Sequence, residues 1–367
     1  MSLAATWIQN VRIANPDFDK NEHRLSEYGA LDFFYQQSQT SPLLTDEMRQ
    51  KAIESAGQTL QIPVLKYDGT IAVSNSRSCT IADAENESAL VSATFVTYFV
   101  GFTMVPSMYS NNDIGYEKDL TAKLKKCARV LGAALDSAAI SALESNKSQK
   151  YADSLLYDTT GNVLGVDWEA REDILGDIEP IMAANDFYGS VHIIGNAGVQ
   201  ALLRKLAEHS TYNEYDNTLE WSGKYFHFTN RLANASGKYA TFYAVEDGNV
   251  DMLFRYDREA VLGANAVGHE WDIVTMPYLN IPVGLHYYVS VGDQSGIAGD
   301  ATADLTCARK EYYGFSVDVA FVVAYNSALS SRANPIAKAA ITKGDNYARP
   351  VKVVSSDSDP VITKTAA

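Results

Sequence analysis

Between Leu120 and Leu143, apolar residues recur at steps of three and four: Leu120, Leu124, Cys127, Leu131, Ala134, Ala138 and Leu143. That spacing marks one face of an α-helix, and it predicts a helix within Ser110–Lys150. Asn112 or Asp113 can cap its start. Asp113, Glu117 and Asp119 lie near the positive end of its dipole, and Lys147 and Lys150 near the other end. Only Gly132 interrupts the pattern, at about 1 kcal/mol relative to Ala. About 30 residues at 1.5 Å each make a rod of roughly 45 Å. A rod of that length outruns a compact core, so other elements or other subunits must lie along it.

The chain has 367 residues, enough for one large or two ordinary domains. Apolar residues make up 46%, so a sizeable core is expected. Thirty basic residues stand against 45 acidic ones, a formal charge of −15. That balance argues against a dedicated nucleic-acid binder, which carries a basic patch. Cys79, Cys127 and Cys307 are far apart and form no CxxC, which reads as free buried thiols in an intracellular protein. The first residues, with Trp7 and Arg12, show no basic start followed by an apolar run, and no secretory signal is expected. The uncharged stretch Ser88–Asn112 is broken as a membrane span by Thr94, Thr97, Gly101, Thr103 and Pro106. Its Val, Thr, Phe and Tyr content predicts a long, largely buried strand around 90–105 instead.

Residues 1–48 show no sustained period. Tyr28, Leu31, Phe33, Phe34 and Tyr35 form an aromatic cluster, read either as an extended arm docking on a neighbouring subunit or as a short helix on its own core. A short helix is expected at 46–56. Two β-prone runs, Gln58–Tyr67 and Thr70–Val73, flank Asp68-Gly69 and predict a hairpin with Pro63 on an edge strand. Asp167 is placed to cap a helix of about 17 residues with Ile174, Leu175, Ile178, Ile181 and Met182 on one face, weakened by Pro180. A strand at Gly189–Ile194 and a helix opened by Asn196 follow. Strands are expected at Tyr225–Thr229, Ala240–Val245, Val250–Tyr256, Leu285–Val291 and Phe315–Ala324. Residues 292–304 read as a loop, and the residues from Pro335 onward as a loosely held tail.

Few patterns carry chemistry. Gly195-Asn196-Ala197-Gly198 lies between a strand and a helix, the setting of a phosphate-binding turn, but it lacks both GxGxxG and the P-loop lysine. Asp247, Asn249 and Asp251 imitate a calcium loop, yet Met252 and Arg258 stand where Gly and Glu are needed, so a hairpin turn on Asp247-Gly248 is expected. His23, His192, His209, His227, His269 and His286 show no HExxH or zinc spacing. Gly292-Asp293-Gln294-Ser295-Gly296 does not fit GxSxG, and Asp293, Asp300 and Asp304 read as a solvated loop. No catalytic residue, cofactor or metal site is expected.

The order of elements resembles the Hong Kong 97-type major capsid proteins of tailed bacteriophages, a fold shared with encapsulins. Four stretches carry the likeness. Thr59–Ser74 matches the extended loop, and Ser110–Lys150, with the small-residue run Leu131–Ile140, matches the spine helix. Ser190–Leu206 matches the strand and helix of the axial domain, and Lys310–Val322 the closing strand. The resemblance implies an α+β fold divided into an arm at 1–48, an extended hairpin loop at 49–88, and a peripheral domain with the spine at 89–160. An axial domain at 161–305, a closing strand at 306–330 and a tail at 331–367 complete it. It implies a structural protein, not an enzyme. Pentamers and hexamers would build an icosahedral shell around double-stranded DNA, assembled in the host cytoplasm and kept in the virion, with no membrane. Lys66, Tyr67, Asp68 and Gly69, with Phe33, Phe34 and Tyr35, become the expected assembly contacts. Some relatives carry a scaffolding segment before the arm; without one here, a separate scaffolding protein is expected beside the portal. Lys66 lies in the hairpin that some relatives crosslink, but no crosslink is expected. An encapsulin enclosing protein cargo and a nucleotide-using enzyme built on the Gly195 turn are the alternatives.

Overall fold

The structure, a computed structural model, describes residues 27–40, 43–54, 57, 59–65, 88–109, 113–147, 157–158, 163–184, 187–206, 211–213, 218–221, 223–266, 268–291, 309–323 and 335–344. Helices α1 (Gly29–Thr40) and α2 (Asp46–Glu54) lead into strands β1 (Thr59–Leu65), β2 (Ser88–Thr94) and β3 (Val96–Met104). Next come the long helix α3 (Asp113–Asn146), β4 (Tyr157–Asp158), β5 (Leu164–Val166), α4 (Asp173–Ala184), β6 (Val191–Gly195) and α5 (Ala197–Leu206). Strands then dominate: β7 (Thr211–Asn213), β8 (Thr218–Trp221), β9 (Lys224–Phe228), β10 (Lys238–Glu246) and β11 (Val250–Arg255). The short helix α6 (Arg258–Leu262) precedes β12 (Asn265–Ala266), β13 (His269–Thr275), β14 (Pro282–Val291), β15 (Arg309–Val323) and β16 (Ile336–Thr342). The fold is mixed α+β.

Helix α3 runs for 34 residues, a rod of about 51 Å. Leu120, Leu124, Cys127, Leu131, Leu135, Ala139 and Leu143 are buried along it. The stripe therefore passes through Leu135 and Ala139 rather than Ala134 and Ala138. Gly132 is a notch, not a flaw. A Cβ there would lie 2.7 Å from the Tyr28 ring and 2.8 Å from Leu279 Cδ1, so only Gly lets both pack on the helix.

Two sheets organise the rest. The first runs β4-β5-β16-β10-β6-β9-β8-β7, with α4 and α5 packed on one face. The second runs β11-β15-β14-β13-β12, with β3 on the other edge of β15. Strand β15 holds β14 along its first half and β11 along its second. Between the sheets lie α1 and α3, whose apolar residues join Ile194, Tyr243 and Val245 of one sheet to Phe315, Val317 and Val319 of the other.

Several expectations are corrected. Residues 29–40 are not an extended arm: they form α1, and Leu31, Phe33 and Phe34 are fully buried in this chain's own core. The helix touches α3 and both sheets, so apolar residues spread around it instead of forming one stripe. The ladder of β1 is made with β2, from Thr59↔Thr94 to Leu65↔Ser88. The Asp68-Gly69 turn and Thr70–Val73 fall outside the described residues, as do 292–304, Cys79 and Cys307. The strand expected around 90–105 breaks at Phe95, where the chain leaves the β1–β2 ribbon and joins β15. Asp247-Gly248 is no hairpin, because β10 and β11 belong to different sheets. Gly248, at φ +78°, swings the chain from one to the other. Strands β11–β14 thus lie outside the unit expected at 161–305.

The expected tail contains β16, which sits inside the first sheet, parallel to β5 and antiparallel to β10. Ile336, Ala337, Ala339 and Ile341 are fully buried. A strand covered on both faces shows no alternation, and its alanines carry no β-signal. Asp167 heads a 3-10 turn (Trp168–Ala170), and α4 proper starts at Asp173 with Pro180 inside it.

Candidate functional site

The Gly195–Gly198 turn is a packing joint. Asn196 is buried, and its Oδ1 accepts from the backbone N–H of Gly198 at 3.1 Å and of Thr241 at 3.4 Å. Its Nδ2 donates to Asn234 Oδ1 at 2.6 Å. An amide that a phosphate would need is thus already bonded. A Cβ at Gly198 would lie 2.6 Å from the Tyr239 carbonyl oxygen and 2.8 Å from Ala240 Cβ. Gly198→Ala is therefore expected to lose about 1–3 kcal/mol in urea unfolding, through overpacking of α5 on β10.

The acidic trio disperses. Asp247 accepts from Gln37, Asn249 donates to Glu246, and Asp251 faces Arg49. No group of three or more His, Cys, Asp or Glu side chains suited to a metal occurs among the described residues. A hollow lined by Tyr28, Lys125, Ala128, Arg129, Tyr278 and Leu279 has a volume of about 10 Å³, no more than one water needs. No described helix is long and apolar enough to cross a membrane. Cys127 is a free buried thiol, its pKa raised by burial.

Four histidines form two pairs that sequence reading missed. His192 Nδ1 meets His227 Nε2 at 3.1 Å, and His269 Nδ1 meets His286 Nε2 at 3.1 Å. The ring centroids are 5.4 and 5.3 Å apart with planes within 20° of each other, so each pair meets nitrogen to nitrogen in nearly one plane. The partners lie 35 and 17 residues apart, on neighbouring strands, where no local motif reveals them.

The outer face of the second sheet divides into a covered and an uncovered end. At one end the ribbon covers it: Ile62 and Ala93 pack with Leu253, Ala320 and Val322. Arg255 locks this end. It donates to Asp318 at 2.8–2.9 Å and to the Gly57 carbonyl, and lies over the Phe95 ring. At the other end rings stand in register across three strands. Tyr312 stacks on Tyr288 at 4.3 Å and 4°, and His286 on Trp271 at 4.6 Å and 1°, with His269 between Tyr288 and Trp271. Phe99 is 70% exposed and lies over Gly314, where a Cβ would meet its ring at 3.0 Å. Leu262 of α6, 70% exposed, and Ile273 are further exposed apolar side chains of this sheet and its helix.

Of the expected contact residues, Lys66, Tyr67, Asp68 and Gly69 lie outside the described residues. Phe33 and Phe34 are sealed inside the chain and cannot reach another subunit. Tyr35 is half-buried against Phe254. The expectation of a largely buried strand around 90–105 is corrected: β3 alternates exposed and half-buried residues up to Met104, and Phe99 faces outward.

Neither a protein-family model nor a curated protein sequence matches the chain. Solved structures do. The capsid of a native GTA particle is 12% identical over 82% of this chain and 92% of that one, at a TM-score of 0.43. The capsid structure of cyanophage P-SCSP1u is 8% identical over 79% and 85%, at 0.42. The holo-SrpI encapsulin complex from Synechococcus elongatus PCC 7942 is 11% identical over 78% and 82%, at 0.40.

Proposed function

We propose that this chain is the repeating subunit of a closed protein shell, a major capsid protein of the Hong Kong 97 type. Copies gather in fives and sixes around double-stranded DNA held without sequence reading. A separate scaffolding protein and a portal assist assembly in the host cytoplasm, and the chain remains in the virion. The observation that carries this reading is the uncovered end of the second sheet, where Phe99 and five stacked rings face outward beside Leu262. Monomeric proteins rarely leave such a face bare, and aromatic side chains dominate the centres of protein interfaces. The element order gives further support: a two-stranded ribbon with segment 66–87 between its strands, then the spine α3, then the strand–helix unit of β6 and α5. The formal −15 charge suits a wall along which DNA slides.

Light scattering behind size exclusion, with electron microscopy of the same fractions, tests the reading. The full chain is expected as closed particles or rings of five and six. Joining Leu65 to Ser88 by a short turn in place of 66–87 keeps the β1–β2 ladder and is expected to abolish those particles while leaving the monomer folded. A homogeneous monomer of the full chain in every salt and crowding condition, and equally when it is co-expressed with the scaffolding protein, sinks the proposal. Particles free of nucleic acid but carrying protein cargo would move the reading to an encapsulin-type shell.

A further inference from the structure

Four groups stand in a line across the junction of the two sheets. Asp32 lies on α1, His227 on β9, His192 on β6 and Asp247 in the turn that carries the chain from β10 to β11. His227 Nδ1 is 3.7 Å from Asp32 Oδ2, the two rings meet at 3.1 Å, and His192 Nε2 is 3.6 Å from Asp247 Oδ1. Both histidines and Asp32 are buried. From α1, Phe33 packs on both rings, Gln36 donates to Asp32 and Gln37 donates to Asp247. Tyr225 of β9 stacks on His192. Helix α3 contributes Asp136, itself bonded to the start of α1 and 3.8 Å from Arg231.

Proton counting gives this line its property. It has three gaps: carboxylate to ring, ring to ring, and ring to carboxylate. The ring–ring gap, at 3.1 Å, is a hydrogen bond and holds one N–H between its nitrogens; the outer gaps, at 3.6 and 3.7 Å, are ion-pair contacts where an N–H turned to the carboxylate is favoured. Two neutral imidazoles bring two N–H groups, so one end must face a carboxylate with a bare lone pair. His227 Nδ1, 3.7 Å from Asp32, is a buried nitrogen outside hydrogen-bond reach of any partner, whichever tautomer the ring holds. A third proton fills every gap and sets one positive charge between two carboxylates. A fourth places N–H against N–H at 3.1 Å, with no acceptor between them and two like charges in a buried site.

We propose that His192 and His227 form a one-proton latch: the pair accepts a single proton with α1 in place, and a second proton breaks the ring–ring bond and releases α1 from the sheet junction. Burial, with the neighbouring His227 ring, pushes the His192 imidazole below its ordinary value while Asp247 pulls the other way, as a pair that resists double protonation requires. The His269–His286 pair is an internal control. It has the same nitrogen contact, but it is half-exposed and has no carboxylate within ion-pair distance among the described residues. It stands on the outer sheet face, away from α1. The latch stands independently of the shell reading.

Exchange of imidazole Cε1 hydrogens, followed by mass spectrometry on the full chain between pH 8 and 4, reports the protonation of each histidine. Amide exchange in the same samples reports α1. The expected result is a sum of one proton over His192 and His227 until the amides of 30–40 lose protection by about tenfold or more, the loss coinciding with the second proton. His192→Gln and His227→Gln each leave one titrating ring, and in both the loss is expected to move to lower pH by a unit or more. Three results overturn the latch. They are two protons on the pair with α1 still protected, none on either ring before the chain unfolds, or an unchanged midpoint in both variants. If the variants fail to fold, the wild-type proton count decides by itself.

Discussion

Arg49→Ala is expected to cost the fold about 3–5 kcal/mol at pH 8, measured by urea unfolding. Arg49 reaches from α2 to Asp251 on β11 and grips it with both ends of the guanidinium, at 3.1 and 2.6 Å. Asp251 is wholly buried. Burial pushes its carboxyl up to about 6 even against the pull of Arg49. Removing the cation leaves a buried charge with only the Met252 N–H beside it. An acid whose folded pKa lies above its unfolded value loses stability as pH rises from the unfolded value through the folded one. The deficit of Arg49→Ala should therefore shrink at pH 5, where the carboxyl takes a proton, and grow at pH 8. An equal loss at both values would show that packing of the arginine stem, not the orphaned carboxylate, sets the cost. The double replacement Arg49→Met with Asp251→Leu removes both charges and keeps the volume. It is expected within about 1 kcal/mol of wild type.

This ion pair also shows where sequence reading stops. Arg49 and Asp251 are 202 residues apart, and neither position is marked in its own segment. What could be read was what repeats locally. The stripe from Leu120 to Leu143 gave α3 within three or four residues of its observed ends. The apolar runs at Tyr225–Thr229 and Ala240–Val245 and the alternation of Phe315–Ala324 mark three strands, because each signal lies within its own segment. What could not be read was set by contact across the fold. Gly132 reads as a weak point within its own helix, and only the Tyr28 ring packed against it makes it a requirement. Ile336–Thr342 looked like tail because a strand covered on both faces has no alternation to see. The aromatics of α1 looked unhoused because their home is assembled from α3 and two sheets, all later in the chain. For the candidate interface the outcome was similar. The rings of His269, Trp271, His286, Tyr288 and Tyr312 come from three strands and form a surface only once register is fixed.

Asp136→Ala should be nearly as damaging as the loss of Arg49, at about 3 kcal/mol, because one carboxylate carries the start of α1. Its Oδ1 accepts from the N–H groups of Ala30 and Leu31 at 3.0 and 3.1 Å, and its Oδ2 from the Thr229 hydroxyl at 2.5 Å. The first N–H groups of a helix have no partner within the helix. Asp136 is fully buried, so no water can replace it. Three buried donors left open at about 1 kcal/mol or more each set the expected loss. Gly29 at the same end is pressed on Phe228, where a Cβ would lie 2.5 Å from the carbonyl oxygen, so α1 cannot slide to find other acceptors. Asp136→Asn separates charge from geometry. Burial holds this carboxyl above its ordinary pKa despite Thr229, Leu31, Arg231 and Ala30, so the negative charge itself adds little. The amide oxygen keeps both N–H bonds, and the Thr229 hydroxyl can turn to accept from the new NH₂. Asn is expected to cost about 1 kcal/mol, with amide protection of α1 retained, while Ala loses that protection well before the strands of either sheet exchange. Equal losses for Asn and Ala would mean that the charge facing Arg231, rather than the cap on α1, is what the spine supplies at this point.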